Sequence, residues 1–211
     1  MKLADIRKEY TIKSLDLNDV SSDPFQQFRV WLNEAMDSDV PEVNAMCLST
    51  MGLNGFPNGR IVLLKEMDHG FVFFTNYESE KGQEIQALPK GSLTFFWPEL
   101  ERQVRIMGSL EKVSELESDT YFHSRPIGSQ IGAWTSPQSQ KIETREALSK
   151  RLEDVEKRFE HEAISRPPHW GGYRLLPIRI EFWQGRPNRL HDRISYEVNS
   201  ENKWIISRLA P

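Results

Sequence analysis

The sequence has a single cysteine, Cys47, so it can form neither an internal disulfide nor a cysteine-based zinc site. Cys47 stands in the apolar stretch "AMCLST", the setting of a small buried hydrophobe. Long hydrophobic runs are missing too. The longest, "IVLL" and "FVFF", fall far short of the roughly 20 apolar residues of a membrane-spanning helix. The charged opening "MKLADIRKEY" lacks the apolar stretch of a secretory signal, and a cytoplasmic protein is expected. Nor is there a large excess of one charge: 27 Lys and Arg against 31 Asp and Glu leave a net charge of −4, which argues against a general polyanion binder and confines any anion site to a local cluster. The five histidines are scattered without metal-ligand spacing, so no metal is expected. A glycine-rich dinucleotide fingerprint, a phosphate loop, HExxH and GxSxG are all absent, which removes the common nucleotide-dependent and hydrolytic classes.

What is present is enough apolar and aromatic material for a core. Apolar residues make up 38% of 211, with eleven Phe, six Trp and five Tyr, which suits a single folded domain and excludes extensive disorder. The stretch "DPFQQFRVWLNEAM" reads as a helix capped by Asp23, with Pro24 in its first turn and a core-facing stripe of Phe25, Phe28, Trp31, Leu32, Ala35 and Met36. Strand candidates follow: "AMCLSTM", "GRIVLLKEM", "GFVFFTN", "SLTFFWPEL" and "RQVRIMGSLEKV", separated by turn signals such as "GLNG", "DHG" and "PKG". Short helices are expected in "SEKGQEIQAL", capped by Ser79, and in "SELESDTYFHS", where Ser114 and Glu117 have capping-box spacing. A longer helix spans "IETREALSKRLEDVEKRFEHEA", its mixed charges read as a solvated face. The chain ends on the strands "YRLLPIRIEFWQG", "NRLHDRISYEV" and "KWIISRLAP". Without strict β-helix-β alternation, the fold class is mainly β (α+β), a mostly antiparallel sheet or barrel with peripheral helices.

Cationic residues bracket several of these segments. In "RIVLLK", Arg60 and Lys65 flank an apolar strand; five positions apart, they face opposite sides of an ideal strand, and the same spacing suits two ordinary end charges. In "ERQVR", Gln103 and Arg105 share one strand face, opposite Arg102 and Val104. "YFHSRPIGSQIGAW" offers Tyr121, Arg125 and Ser129 within nine residues, a set that suits a phosphate monoester; the alternative is a helix C-terminus stabilised by Arg and ended by Pro126. In "NRLHDR", Arg189, His191 and Arg193 occupy alternate positions of a segment read as a strand, so they are expected to project together. Pairing of these arginines with Asp192 and neighbouring acids is the competing reading. Two anion-binding clusters imply two anionic ligands, or a ligand and a phosphorylated cofactor.

Taken in order, "RIVLLK", "FFTN", "ERQVRIMG", "YFHSRPIGSQIGAW", "IEFWQGRPNRLHDR" and the terminal "ISRLAP" closely resemble the pyridoxine (pyridoxamine) 5′-phosphate oxidase family, from about residue 7 to the last residue. The resemblance implies an FMN-binding split β-barrel and a homodimer with FMN at the subunit interface. It implies oxidation of pyridoxine or pyridoxamine 5′-phosphate to pyridoxal 5′-phosphate, by hydride transfer from substrate C4′ to flavin N5, with O2 reduced to H2O2. By the same resemblance FMN is held by Arg60, Ile61, Val62, Leu63, Leu64, Lys65, Phe74, Thr75, Lys81, Gln103, Gln138, Ser139, Trp183 and Arg193. Lys65, Tyr121, Arg125 and Ser129 are implied to bind the substrate phosphate, and Arg189 and His191 to lie over the substrate ring as the catalytic pair. Arg7 and Tyr10 match an N-terminal segment that can cover the site, and residues 1–20 are expected to be mobile. Two positions depart from the family pattern: Phe74 replaces a tyrosine, and Glu80 replaces a basic residue beside Lys81, where a carboxylate would repel a phosphate. A related flavin oxidase acting on a phenazine precursor, and a non-catalytic flavin or pyridoxal phosphate carrier, are the competing functions.

Overall fold

The structure is a computed structural model and describes residues 2–5 and 8–211; Arg7 lies outside the described residues. After a short 3-10 turn at Leu17–Asp19, helix α1 runs Pro24–Asp37. The Asp23 side chain accepts the Phe25 N–H at 2.9 Å, and Pro24 fills a first-turn position where no N–H is needed. Phe28, Trp31 and Ala35 recur at helical spacing and are buried, which fixes the face that α1 turns to the sheet. Replacing Asp23 with Ala leaves an orphan helix N–H, and we expect a loss of about 1 kcal/mol in urea denaturation with an unchanged slope.

The strands are β1 (Ala45–Met51), β2 (Pro57–Leu63), β3 (Glu66–Met67), β4 (Phe71–Asn76), β5 (Lys90–Trp97), β6 (Arg102–Lys112), β7 (Trp170–Gln184), β8 (Asp192–Val198) and β9 (Trp204–Leu209). They form one curled antiparallel sheet in the order β2-β1-β5-β6-β7-β4-β3, with β8 on the later half of β7 and β9 beyond it. The long β7 pairs with β6 along its length, with β4 through residues 170–175 and with β8 through residues 179–184, so the sheet splits around it. A register shift at Met107/Gly108 lets the β6–β7 ribbon bend; a Cβ on Gly108 would lie 2.0 Å from the Leu176 carbonyl oxygen, so only glycine fits. Phe28, Phe71, Phe95 and Trp97 meet edge to face or tilted inside the curl and form the centre of the core.

The remaining helices are α2 (Glu80–Ala87), α3 (Glu115–Ser124), α4 (Ile127–Thr135) and α5 (Arg145–Arg158). Ser79 caps α2, and Ser114 with Glu117 forms the expected capping box on α3. Three expectations change. "GRIVLLKEM" is two strands, because the chain leaves β1 after Leu63 and Lys65 N–H bonds to Val72 of β4 instead. Pro126 does end α3, but it also opens α4, since a proline without an N–H costs nothing at a helix start. The helix predicted over 142–163 is confined to 145–158, between the Thr144 cap and Phe159, which packs on Trp134.

Candidate active site

A cavity of about 620 Å³ opens between β2, the end of β4 and helices α2, α3 and α4. Strand β2 pairs on one side only, with β1, so its other edge leaves backbone N–H and C=O groups free to meet a planar heterocycle. Ile61, Val62 and Leu63 bring that edge to the cavity, and Lys65 stands where the chain crosses from β1 to β4. Phe74 and Thr75 enter from β4, Lys81 from α2, and Gln138 from the loop after α4. On the opposite side, Tyr121 and Arg125 come from the end of α3, and Ser129 from the first turn of α4. Residues far apart in sequence are thus assembled by the sheet edge and the α3–α4 corner.

Three cations line the cavity, Lys65, Lys81 and Arg125, and none forms an ion pair among the described residues. Arg125 Nη1 is buried and has no hydrogen-bond partner among the described residues. Its guanidinium lies 4.5 Å from the centre of the Trp170 ring, and burial pushes its pKa down against the opposing pull of Tyr121. A buried donor without a partner costs about 1–3 kcal/mol, a cost that an anionic ligand removes. Among the described residues Lys81 Nζ bonds neutral oxygens alone: Gln138 Oε1 at 3.0 Å, Thr75 Oγ1 at 3.3 Å and Ser79 Oγ at 3.4 Å. Burial and then the neighbouring Arg60 depress the Lys81 pKa, with Glu84 and Glu80 opposing. Both ends of the cavity are therefore prepared for negative charge.

Between them lies an aromatic wall. Phe74 stacks on Tyr121 at 4.0 Å and on Trp170 at 5.6 Å. Trp170 was absent from the residues drawn from sequence, although "HWGGY" held a signal: a Cβ on Gly172 would meet Phe74 at 2.8 Å, so the glycines allow the aromatic cluster to close. Glu80 lines a separate recess with Glu84 and Asn58 rather than the cavity, although its charge still acts on Lys81 and favours the protonated amine.

Arg189 and His191 lie elsewhere, in a second recess of about 610 Å³ with Tyr10, Lys8 and Arg186. The strand expected over "NRLHDR" is corrected: β8 starts only at Asp192, and Pro187–Arg189 is a 3-10 turn. Pro187 has no N–H for a ladder, and Asn188 and Arg189 take φ of 56° and 61°, which folds the chain back. Arg189 and His191 are therefore neighbours through a turn, while Arg193 belongs to the sheet. The His191 ring lies 4.5 Å from Trp183 and 5.8 Å from Tyr10, and its Nδ1 accepts the Arg186 N–H at 3.1 Å. That bond leaves the proton of the neutral ring on Nε2. Burial, then Arg189, lowers the His191 pKa, with Asp192 opposing. The folded ring holds its acid proton more weakly than the unfolded one, so its contribution to stability is present above the ordinary pKa of 6.5 and is lost as pH falls through the lowered folded value. An NMR titration should place the His191 midpoint below 6.5, and Arg189→Ala should move it upward.

Several other residues sit outside the cavity lining. Arg60 bonds Glu84 at 2.8 Å and also Thr50, and Leu64 points into the core. Ser139 follows Gln138 with φ 69°. Gln103, Trp183 and Arg193 form one cross-strand row on the outer sheet face, continued by Phe96 on one side and Leu209 on the other. Arg193 is held by Glu181 at 2.9 Å and by the Ala210 carbonyl at 2.7 Å. This outer face exposes Ile61, Phe96, Met107, Ile178 and Ile205. The N-terminal segment runs along its border, with Ile12 N–H on Glu101 at 3.1 Å and Leu15 N–H on Asp192 at 3.0 Å.

The family described as pyridoxamine 5′-phosphate oxidase matches residues 32–159, and the pyridoxine 5′-phosphate oxidase C-terminal dimerisation region matches residues 170–211. A pyridoxine/pyridoxamine 5′-phosphate oxidase of Ralstonia pickettii is 55% identical over 210 residues, covering 99% of both chains. One from Cupriavidus metallidurans is 53% identical over 211 residues, covering 100% of this chain and 99% of the relative. Among solved structures, PhzG from Burkholderia lata in complex with tetrahydrophenazine-1-carboxylic acid superposes with a TM-score of 0.88 at 30% identity, covering 95% of this chain and 99% of that one.

Proposed function

The chain belongs to the pyridoxamine 5′-phosphate oxidase family, and from that premise we propose that it oxidises pyridoxine 5′-phosphate and pyridoxamine 5′-phosphate to pyridoxal 5′-phosphate with FMN as cofactor and O2 as electron acceptor. The observation that carries this reading is the cavity itself, in which Arg125, with a buried N–H lacking a partner, and Lys65 stand beside the hydroxyls of Tyr121 and Ser129. Such a set suits the dianion of a phosphate monoester, with a guanidinium fork, an ammonium point charge and neutral donors.

The residues present also fit FMN. Lys81, with Thr75 and Gln138, would hold its phosphate, and the free edge of β2 at Ile61, Val62 and Leu63 would offer backbone groups to its heterocycle. When bound, the flavin takes the two electrons removed at substrate C4′ and passes them to O2, giving H2O2. The protein's own work is to anchor the substrate. Lys65 and Arg125 grip the phosphate and so fix the pyridine ring, which converts a chance encounter into a held geometry. Arg189 and His191 orient the ring from its other side, His191 as a donor through Nε2 rather than as a base.

In one chain these two groups stand in separate recesses, so the reading requires a homodimer in which Arg189 and His191 of the partner subunit complete each site. Support comes from the match of residues 170–211 to a dimerisation region and from the exposed apolar outer face.

A second reading, oxidation of a tricyclic phenazine precursor, is favoured by the 0.88 TM-score to PhzG. A carboxylate would leave much of the Lys65, Tyr121, Arg125 and Ser129 set unused. The deciding experiment adds pyridoxine 5′-phosphate to FMN-loaded protein in air and follows peroxide together with pyridoxal phosphate absorbance. Stoichiometric appearance of both is expected. Their absence, with turnover of tetrahydrophenazine-1-carboxylic acid, would reverse the assignment.

A further inference from the structure

Arg174, on β7, ends among three carboxylates. Its Nε lies 3.0 Å from both oxygens of Asp68, and its Nη2 lies 2.6 Å from Asp68 Oδ2 and 2.6 Å from Glu117 Oε1. Glu111 stands farther off, 3.7 Å from Nη1. The arginine side chain is only 8% exposed. Its path requires a glycine beneath it, because a Cβ on Gly70 would sit 2.5 Å from Arg174 Cγ. Burial alone would raise the Asp68 pKa, but the bonds from Arg174 and from the Gly70 N–H hold it below its ordinary value. Glu117 is likewise held low, first by its bonds to Ser114 and then by Arg174. Asp68 and Glu117 therefore stay ionised across the neutral range.

The two closest carboxylates belong to the two walls of the phosphate cavity. Asp68 sits in the turn between β3 and β4, three residues after Lys65, whose N–H bonds to Val72 at 2.9 Å across the same hairpin. Glu117 sits in the first turn of α3; Tyr121 follows one turn later on the same side, and Arg125 closes the helix. Arg174, Asp68 and Glu117 themselves do not line the cavity. We propose that Arg174 is a positioning residue: by bonding Asp68 and Glu117 together it fixes the Lys65 hairpin against α3 and so sets the separation between the Lys65 ammonium and the Tyr121–Arg125 pair. This rests on the reading of the cavity as the site of a phosphorylated pyridine. The planar fork is essential to it, because two carboxylates on different elements are held at a fixed angle, which a lysine point charge cannot do. A shift of about 1 Å between anchoring groups is enough to spoil a two-sided grip.

The test uses the full-length FMN-loaded protein and the variants Arg174→Met, Arg174→Lys, Glu117→Gln and Glu111→Gln. Arg174→Met should raise KM for pyridoxine 5′-phosphate about tenfold, with kcat per bound flavin within about twofold and FMN affinity unchanged. Arg174→Lys and Glu117→Gln should show the same split to a smaller degree, and Glu111→Gln, at the 3.7 Å contact, should match the parent protein. A merely structural arginine would lower the yield of flavin-loaded protein and leave KM alone, and that outcome overturns the proposal. If Arg174→Met does not fold, the Lys and Gln variants decide by the same criterion. Equilibrium binding of pyridoxal 5′-phosphate to the parent protein, followed by absorbance, separates the two levels. No binding there means that the reading of the cavity has failed; binding with unmoved KM in every variant means that Arg174 alone was misassigned.

Discussion

Arg125→Ala should lower kcat/KM for pyridoxine 5′-phosphate by roughly two orders of magnitude. Hydrogen bonds to charged groups contribute about 1.5–3 kcal/mol each, and the loss of a two-pronged contact to phosphate at about 3 kcal/mol corresponds to a factor near one hundred. Most of the loss should appear in KM, because the phosphate lies away from the bond that is broken and Arg125 grips ground state and transition state alike. Stability should move the opposite way or not at all. Arg125 Nη1 is buried without a partner among the described residues, and the substitution deletes that unsatisfied donor along with its stacking on Trp170. A variant that melts no lower than the parent and turns over poorly would show that the guanidinium is kept for its ligand. Unchanged kcat/KM would remove Arg125 from the site.

The second large effect tests the division of the site between subunits. Arg125→Ala and Arg189→Ala, each nearly inactive alone, should recover activity when unfolded together and refolded as a mixture. A heterodimer of the two carries one site with both substitutions and one with neither, so random assortment restores about one quarter of the parent activity. If both residues served one site within a single chain, every site in the mixture would be damaged and no activity would return. The separation of the two recesses in one chain motivates the experiment. The outer sheet face supplies the means, since Ile61 on β2 is 67% exposed and yet lies beside the cavity, placing the contact surface next to the site.

Much of this was legible in the linear sequence, for local reasons. The strands over residues 45–51 and 71–76 and the caps at Asp23, Ser79 and Ser114 follow from short-range chemistry: side-chain alternation, and oxygens positioned to accept helix N–H groups. The motif "YFHSRPIGSQIGAW" keeps Tyr121, Arg125 and Ser129 close in sequence, so the single corner between α3 and α4 at Pro126 is enough to gather them. "NRLHDR" misled because alternation of polar types is also what a tight turn shows. Pro187 and the positive φ of Asn188 and Arg189 favoured the turn, and only the structure displays their backbone angles.

By itself, then, the sequence determined the mainly β class, the family, and which side chains are available for two anions, because these depend on residue type and near neighbours. The tertiary structure decided which cations remain free. Arg60 and Arg193 are occupied by Glu84 and Glu181, while Arg125 and Lys81 meet no carboxylate within hydrogen-bond reach among the described residues. That distinction is invisible in one dimension, because the acid that neutralises an arginine is brought to it by strand pairing and helix packing across distances that sequence spacing does not encode.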